Sequence, residues 1–389
     1  MSLLDSCGVA GGRLLIAGFD PFETLEIADA DALRLLDERL TRCSSSTGAC
    51  IATLSYEMEA VLAFYDALVV HDYALGKSFI VSRDEKRADE MQATLLEAQP
   101  LREPETHGES VAVSNMTREE YLSAVLLIKE HIAAGNIYQA NLTQQLTCPL
   151  PQGLEAEQLF LRLRRQHPSP FAAFIRRRED VVVSISPERF LCVEPETGIV
   201  EAWPIKGTRR RGKDELEDAR LRAELLSSEK DRAENVMIVD LLRNDLGRVC
   251  RYGSVEVAEL CRLEEHPTLF HLVSKVRGRL RDEVTAGELV RACFPCGSIT
   301  GAPKIRAMEI IEEVEGAPRG LSMGAIGYFA FDGAIDLSVA IRTMTVRERV
   351  ARFNVGGGIV ADSDPALEYE ESLIKARALL RALGVNSLD

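Results

Sequence analysis

The chain has 389 residues, 46% of them hydrophobic and 28% charged, with a formal net charge of -15 at pH 7. That length suits one large domain or two ordinary ones, and the balance is that of a soluble globular protein with a real core. The negative charge argues against non-specific binding to nucleic acid or an anionic membrane surface, and no apolar run approaches the roughly 20 residues of a spanning helix. It says little about a small anionic substrate, because a few local cations dominate inside a closed site.

In chain order, Leu14 to Ala17 reads as a first strand. It is short, follows Asp5 and lacks a basic n-region, so it does not read as a signal peptide, and the expected compartment is the cytoplasm. Ala30 to Leu40 reads as an amphipathic helix, and Ile51 to Leu75 as an apolar, Tyr-containing stretch. Gln99 to Ser114, rich in Pro, Glu and Gly, reads as a loop or linker. Thr117 followed by Glu120 forms a capping-box pattern that opens a helix from Arg118 to about Ala134, with Gly135 to end it. Val181–Ser186 and Gly324–Phe331 are strand candidates. Long helices are predicted from Ser228 to Asp245 and from Pro365 to Leu383, the second with proline at its first turn. Nine scattered cysteines suit reduced thiols. Cys293 and Cys296 lack the second pair or histidines of a zinc site and read as two small, partly buried thiols.

Two helices carry acidic pairs. Asp231 and Glu234 are three apart on one, Glu368 and Glu371 three apart on the other, so each helix aims two carboxylates from one face. If the faces met, the oxygen-rich cage would favour Mg²⁺. Taken alone, such pairs are more often solvated faces balanced by lysine, as Glu371 and Lys375 could be. Gly356-Gly357-Gly358 lets backbone amides approach an anion, or is an ordinary flexible turn. Arg342, alternating into an apolar strand, needs a carboxylate, either from a ligand or from a core acid. Lys206, in Pro204-Ile205-Lys206-Gly207-Thr208, reads as a loop cation that becomes a base or nucleophile if desolvated. The Arg209-Arg210-Arg211 run after it reads as solvated surface, as do the basic clusters at 162–165 and 176–178.

These segments occur in a fixed order: Ile137-Tyr138-Gln139-Ala140-Asn141-Leu142, Ser186-Pro187-Glu188-Arg189-Phe190, PIKGT at 204–208, EKDRAENVMIVDLLRNDLGR at 229–248, HPTLFHLVSKV at 266–276, CGSITGAPK at 296–304, GAIGYF at 324–329, AIRT at 340–343 and GGGIVADS at 356–363. From about Met116 to the C-terminus the chain resembles the chorismate-utilising family, which contains anthranilate, isochorismate, salicylate and aminodeoxychorismate synthases. The resemblance implies an α+β fold, a single large chorismate-binding domain in which two packed antiparallel sheets are surrounded by helices. Residues 1–114 are then the weakly matched N-terminal part of that fold, and 115–389 its catalytic core. It also implies Mg²⁺ beside the substrate. Glu234 and Glu371 fall on metal-ligand positions, and Asp231 and Glu368 on supporting acids that hold metal-bound water. Arg342 and the Gly358 amide match groups that grip substrate carboxylates, with Gly357 and Lys375 beside them.

Within that resemblance two positions select the chemistry. Members that add water at C2 carry lysine where this chain has Gln139, which argues against the isochorismate and salicylate branches. Anthranilate synthases carry alanine where this chain has Lys206, whose amine is thought to attack C2 and expel the C4 hydroxyl before ammonia adds at C4. The implied activity is therefore amination of chorismate toward p-aminobenzoate and folate. Glu188 is then the expected acid or base at the departing hydroxyl, His271 a ring-side hydrogen-bonding group, and Ser298 and Thr300 pocket-lining residues. Ser322 departs from an aromatic residue common at its position. No effector motif of tryptophan-inhibited anthranilate synthases is found, and no glutaminase or lyase motif. Ammonia is thus expected from a separate glutaminase subunit, and a downstream lyase is expected to finish the aromatic product. The alternatives are an anthranilate synthase, which eliminates pyruvate in the same site, and a binding partner that kept the fold without the chemistry. Retention of Glu234, Glu371, Arg342, Lys206 and Glu188 speaks against the second.

Overall fold

A computed structural model describes residues 1–28, 31–44, 47–101, 110–266 and 269–385. Every strand pairing in it is antiparallel, and the strands form two sheets. The eleven-stranded sheet runs Gly301–Ala302, Gln139–Pro149, Val350–Ile359, Thr343–Arg347, Val181–Ser186, Phe171–Arg176, Ser2–Asp5, Leu14–Gly18, Ala67–Asp72, Lys77–Ser82, with Val113–Ser114 also on Gln139–Pro149. The ten-stranded sheet runs Ile205–Arg210, Leu269–Arg279, Ile199–Ala202, Arg189–Glu194, Ile335–Val339, Ala325–Ala330, Ala49–Leu54, Ala60–Tyr65, Glu23–Ile27, with Glu256–Glu265 also on Leu269–Arg279. The fold is the expected single domain of two packed sheets with helices around them.

Side-chain alternation explains the layering. Along Phe171–Arg176, Ala173 and Ile175 join Val182, Ile51, Ile326 and Ala340 in one cluster that includes residues of both sheets. The alternate residues Ala172 and Phe174 face outward into a second cluster with Leu159, Leu163 and Leu379 of the helices Ala156–Gln166 and Pro365–Ala382. A strand covered on both faces is buried along its length whatever its alternation, and Val181–Ser186 is buried from Val182 to Ser186, its two serines included. On the far side, Phe64, Phe190, Phe329 and Leu337 pack with Leu36, Leu289 and Ile238 of the helices Ala32–Cys43, Ala286–Cys293 and Glu229–Gly247. Each such fully buried Phe or Leu contributes about 1.5–3 kcal/mol over its exposed state.

The capped helices stand where their end signals put them. Thr117 and Glu120 make a reciprocal capping box on Arg118–Ala133, and Gly135 follows with φ +75°. Ser228 caps Glu229–Gly247, and Asp364 caps Pro365–Ala382. The amphipathic helix occupies Ala32–Cys43; Ala30 lies outside the described residues. Ile51 to Leu75 resolves into parts of three strands. Leu14–Gly18 is a strand, but the second one, because Ser2–Asp5 precedes it and pairs with both Leu14–Gly18 and Phe171–Arg176. Val113–Ser114 is a short strand at the end of the expected linker, of which 102–109 lie outside the described residues. The strand expected over Gly324–Phe331 occupies Ala325–Ala330, and position 324 just before it requires glycine because a Cβ there would stand 1.9 Å from the Leu54 carbonyl oxygen. Cys293 and Cys296 are both free and fully buried, deeper than expected. Among the described residues no helix is long and apolar enough to cross a membrane.

Candidate active site

Three sequence expectations about local structure change here, each because a strand pairing distant in sequence overrides a local signal. The three glycines lie within the strand Val350–Ile359, in register with Thr143, Leu142 and Asn141, and do not form a turn. Lys206 lies in the edge strand Ile205–Arg210, not in a loop, at a register shift that includes Gly207 with φ +84°. Arg342 sits between the strands Ile335–Val339 and Thr343–Arg347 with φ +49°, a left-handed conformation costly for a non-glycine residue. The arginine run is not free surface either. Arg209 pairs with Glu224 at 2.8 Å and Asp231 at 3.1 Å, Arg211 pairs with Asp218 at 2.6 Å, and Arg210 pairs with Glu217.

These irregularities converge on one cleft. The Lys206 ammonium, half-buried, donates to the Ser298 carbonyl at 3.3 Å. A Cβ on Gly358 would stand 2.4 Å from Gln139 Nε2 and 3.6 Å from Lys206 Nζ, so glycine leaves the gap between them open. Asn141, opposite Gly358, spends its amide on the Thr300 carbonyl at 2.7 Å and its carbonyl on Arg319 at 2.6 Å. Gly358 and Asn141 therefore form a non-hydrogen-bonded pair, and the Gly358 amide points away from the neighbouring strand. Gln139 is fully buried, yet neither amide atom has a partner among the described residues. An unsatisfied buried polar group costs about 1–3 kcal/mol, so a polar group entering the cleft beside this amide would relieve that cost.

Glu188, 4% exposed, has one carboxyl oxygen without a partner. Burial pushes its pKa up to about 7, against hydrogen bonds from Ser298 and the Ile205 backbone and the charges of Lys206 and Arg342. The folded chain thus keeps this proton to about pH 7, whereas an ordinary glutamate loses it near 4.5. Its contribution to stability is full below about pH 4.5 and is lost as pH rises through about 7. Glu188→Gln cannot ionise and should gain on the unmodified chain by up to about 3 kcal/mol as pH goes from about 5 to 8. Urea unfolding across that range measures it, and a pH-independent difference would mean that Glu188 is already ionised when folded.

The Arg342 guanidinium has no hydrogen bond or ion pair among the described residues, so the core-acid partner is not found. Burial pulls its pKa below the arginine value, with Glu188 opposing. His271 Nδ1 lies 2.8 Å from Thr208 Oγ1. Burial first, then Arg342 and His266, hold its pKa down to about 3, so the ring is neutral near pH 7 and hydrogen-bonds without charge. A cavity of about 470 Å³ between the sheets touches Arg342, His271 and Ile205 but not Lys206, Gln139 or Glu188, so Arg342 and His271 wall the cleft on that side.

The acidic pairs lie beside this cleft on two helices, and the Lys206 charge acts on one member of each, Glu234 and Glu371. A Cβ on Gly357 would lie 3.5 Å from Glu368 Oε2 and 3.8 Å from Glu371 Oε1. Lys375 bridges Glu371 at 2.8 Å and the Gly356 carbonyl at 3.0 Å. Burial would raise Glu371, but Lys375, Lys230 and Lys206 outweigh it and hold the carboxyl below its usual range. Glu234 is raised by burial, although Lys206 and Lys230 pull the other way. Glu368 is buried, with the Ser363 hydroxyl at 2.7 Å and Lys230 at 3.5 Å. Among the described residues no three acidic, His or Cys side chains form a ready-made metal cage. The donors are nevertheless all oxygens, the ligand type of a hard divalent cation, and lysine ammoniums stand among them. In donor type and charge the cluster fits Mg²⁺.

Two supports were not foreseen. Arg319 donates to the Ile299 and Asn141 carbonyls at 2.8 and 2.6 Å and pairs with Glu315, which accepts from the Thr143 amide at 2.6 Å. Lys304 pairs with Asp245 and donates to the Cys293 carbonyl, both at 2.6 Å. Together they hold the turn Gly297–Ile299 that positions Ser298. Thr300 serves the same turn, its hydroxyl donating to the Cys296 carbonyl at 3.1 Å. A lone arginine after a proline gives no periodic signal, and Lys304, inside a quoted motif, had no visible partner. Ser322 is buried, its hydroxyl accepting from the Asn354 amide at 3.0 Å.

A chain of two packed antiparallel sheets, with a buried arginine, a half-buried lysine and paired helix acids around one cleft, matches a known family. Residues 48–381 fit the model described as chorismate binding enzyme, and the chain belongs to that family. Among curated proteins it is 39% identical to the aminodeoxychorismate synthase component 1 of Klebsiella aerogenes, over 93% of this chain and 85% of that one. It is 43% identical to the aminodeoxychorismate synthase of Streptomyces griseus over 85% of this chain, but spans only 47% of that longer protein. Among solved structures, anthranilate synthase component I from Streptococcus pneumoniae TIGR4 superposes with a TM-score of 0.84 at 28% identity, covering 95% of this chain and 92% of that one.

Proposed function

We propose that the chain is the amine-transferring catalytic subunit of an aminodeoxychorismate synthase, converting chorismate and ammonia to 4-amino-4-deoxychorismate. The observation that carries this reading is Lys206, held at 3.3 Å by the Ser298 carbonyl in the gap left by Gly358. A positioned amine in a mostly closed cleft is a competent nucleophile once deprotonated. Gln139 at the position of a hydrating lysine, and relatives named aminodeoxychorismate synthase component 1, support the same branch. That component number also supports a partner subunit, which we take to be a separate glutaminase supplying ammonia. A separate lyase then acts on the product, and the cytoplasm is the proposed compartment.

In this mechanism Arg342 and the Gly358 amide bind substrate carboxylates, and His271 donates a neutral hydrogen bond beside the ring. The Lys206 amine attacks C2, the ring double bond shifts, and the C4 hydroxyl leaves as water with a proton from Glu188. Ammonia then adds at C4, the double bond returns and the Lys206 amine departs from C2, while Glu188 takes up the proton that ammonia sheds. A carboxyl with pKa about 7 serves both proton transfers near neutrality. Mg²⁺, when bound, would be held by Glu234 and Glu371 with Asp231 and Glu368 in support, and would supply a Lewis acid and an anchor for a substrate carboxylate. Gln139 and Ser298 shape the cleft around the substrate.

The test is product identity. Chorismate, Mg²⁺ and an ammonium salt at mildly alkaline pH should give 4-amino-4-deoxychorismate by liquid chromatography and mass spectrometry, and p-aminobenzoate only after a lyase is added. Anthranilate would replace this reading with the anthranilate synthase one. Unchanged chorismate, even with a glutaminase partner present, would point to a binding partner without chemistry.

A further inference from the structure

Three lysines stand around the acidic cluster, and they are not held alike. Lys206 is fixed on the Ser298 carbonyl at 3.3 Å, and Lys375 between Glu371 and the Gly356 carbonyl at 2.8 and 3.0 Å. Among the described residues Lys230 has one contact, Glu368 Oε1 at 3.5 Å, a long separation for an ammonium–carboxylate pair, and its side chain is 52% exposed. It also has the widest reach. Lys230 lies one turn before Glu234 on the same helix face, touches Glu368 on the other helix, and its charge acts on Glu368 most, then on Glu234 and Glu371. A flexible four-carbon stem lets such an ammonium swing into water at little cost.

We propose that Lys230 is the counter-cation of the acidic cluster while no metal is bound, and that a divalent cation expels it to solvent. The proposal rests on the metal reading above. Without a cation, Glu234, Glu368 and Glu371 repel one another across the helix pair, and Lys230 is the mobile positive charge that relieves this. A divalent ion among the same carboxylates does the work better and repels the ammonium. Lys230 therefore competes with the metal. It keeps the two helices together in the free chain and weakens the intrinsic affinity of the site, so that tight metal binding waits for the negative charge of a substrate.

Two readouts test this on the full chain without substrate. In Mg²⁺ titrations by calorimetry, Lys230→Gln should bind about tenfold more tightly than the unmodified chain, and Lys230→Arg about equally to it. In acylation with acetic anhydride followed by peptide mass mapping, Mg²⁺ should raise Lys230 modification severalfold while a remote surface lysine such as Lys77 stays constant. Unchanged or weaker Mg²⁺ binding by Lys230→Gln overturns the proposal, as does Lys230 labelling that Mg²⁺ leaves unmoved or lowers. Glu371→Gln separates the two readings. If the unmodified chain binds Mg²⁺ and Glu371→Gln does not, the metal reading stands whatever Lys230 shows. If none of these chains binds Mg²⁺, the metal reading falls and takes the Lys230 proposal with it.

Discussion

Lys206→Ala is expected to lower 4-amino-4-deoxychorismate formation by at least about 10³-fold, about 4 kcal/mol of barrier, while leaving the fold in place. In the proposed mechanism the amine is a covalent participant, and alanine has nothing to offer C2. The fold should survive because Lys206 lies on an edge strand at a bulge, half-buried, where among the described residues its ammonium donates to the Ser298 carbonyl alone. Water entering the vacated space can replace that bond, so the stability change should stay within about 1 kcal/mol. Lys206→Arg is the stricter comparison. It keeps the positive charge among Glu188, Glu234 and Glu371 but presents a guanidinium that does not deprotonate. If the lysine is only an electrostatic anchor, arginine should rescue much of the activity; if it is the nucleophile, arginine should fail as alanine does. Product analysis by mass spectrometry with thermal melting of both variants checks this, and full output from Lys206→Ala would remove the nucleophile from the mechanism.

What could be read in the sequence follows how local its physics is. The helices Arg118–Ala133, Glu229–Gly247 and Pro365–Ala382 were legible because Thr117, Ser228, Asp364 and Pro365 are end signals acting over three or four residues. Their acidic pairs were legible as faces for the same reason, whereas the facing of the two helices was not, since it depends on the sheet beneath. Gly356 to Gly358 looked like a turn because nothing nearby announces Thr143, Leu142 and Asn141 as partners more than two hundred residues away. Arg342 looked like a strand residue because its neighbours are apolar, and its positive φ is visible only once the flanking strands are seen to belong to different sheets. Glu188 and Gln139 entered through the resemblance to a family, which also singled out Lys206, until then a loop cation that desolvation could activate. The structure adds the physical reasons they suit a site: an unpartnered amide, a carboxyl raised by burial, and a gap that a Cβ would close. The clamps of Arg319 and Lys304 left no trace in spacing, because each joins segments that meet only in three dimensions.

Glu234→Gln and Glu371→Gln should each remove activity together with its dependence on Mg²⁺, and the more telling effect should be on stability. Metal-free, Glu234→Gln removes a carboxylate whose ionisation the fold disfavours and should be at least as stable as the unmodified chain, whereas Glu371→Gln gives up the pair with Lys375 and should be somewhat less stable near pH 7. For Glu234, burial and the charges of Asp231 and Glu368 all disfavour the ionised form. With Mg²⁺ the unmodified chain should become the most stable of the three. A ligand that binds only the folded state adds RT ln(1 + [L]/Kd), about 2.7 kcal/mol at a hundredfold excess over Kd, so the unmodified chain should gain a few degrees in Tm. The variants should gain little. Differential scanning fluorimetry with and without Mg²⁺, beside turnover with chorismate and ammonia, separates three cases. Loss of both the Tm gain and turnover places the metal on these carboxylates. Loss of turnover with the Tm gain intact would make them positioning residues beside a metal held elsewhere. Unchanged turnover would remove the metal site from these helices, and Glu368 and Asp231 would then be nothing more than the anchors that Lys230, Ser363 and Arg209 make of them.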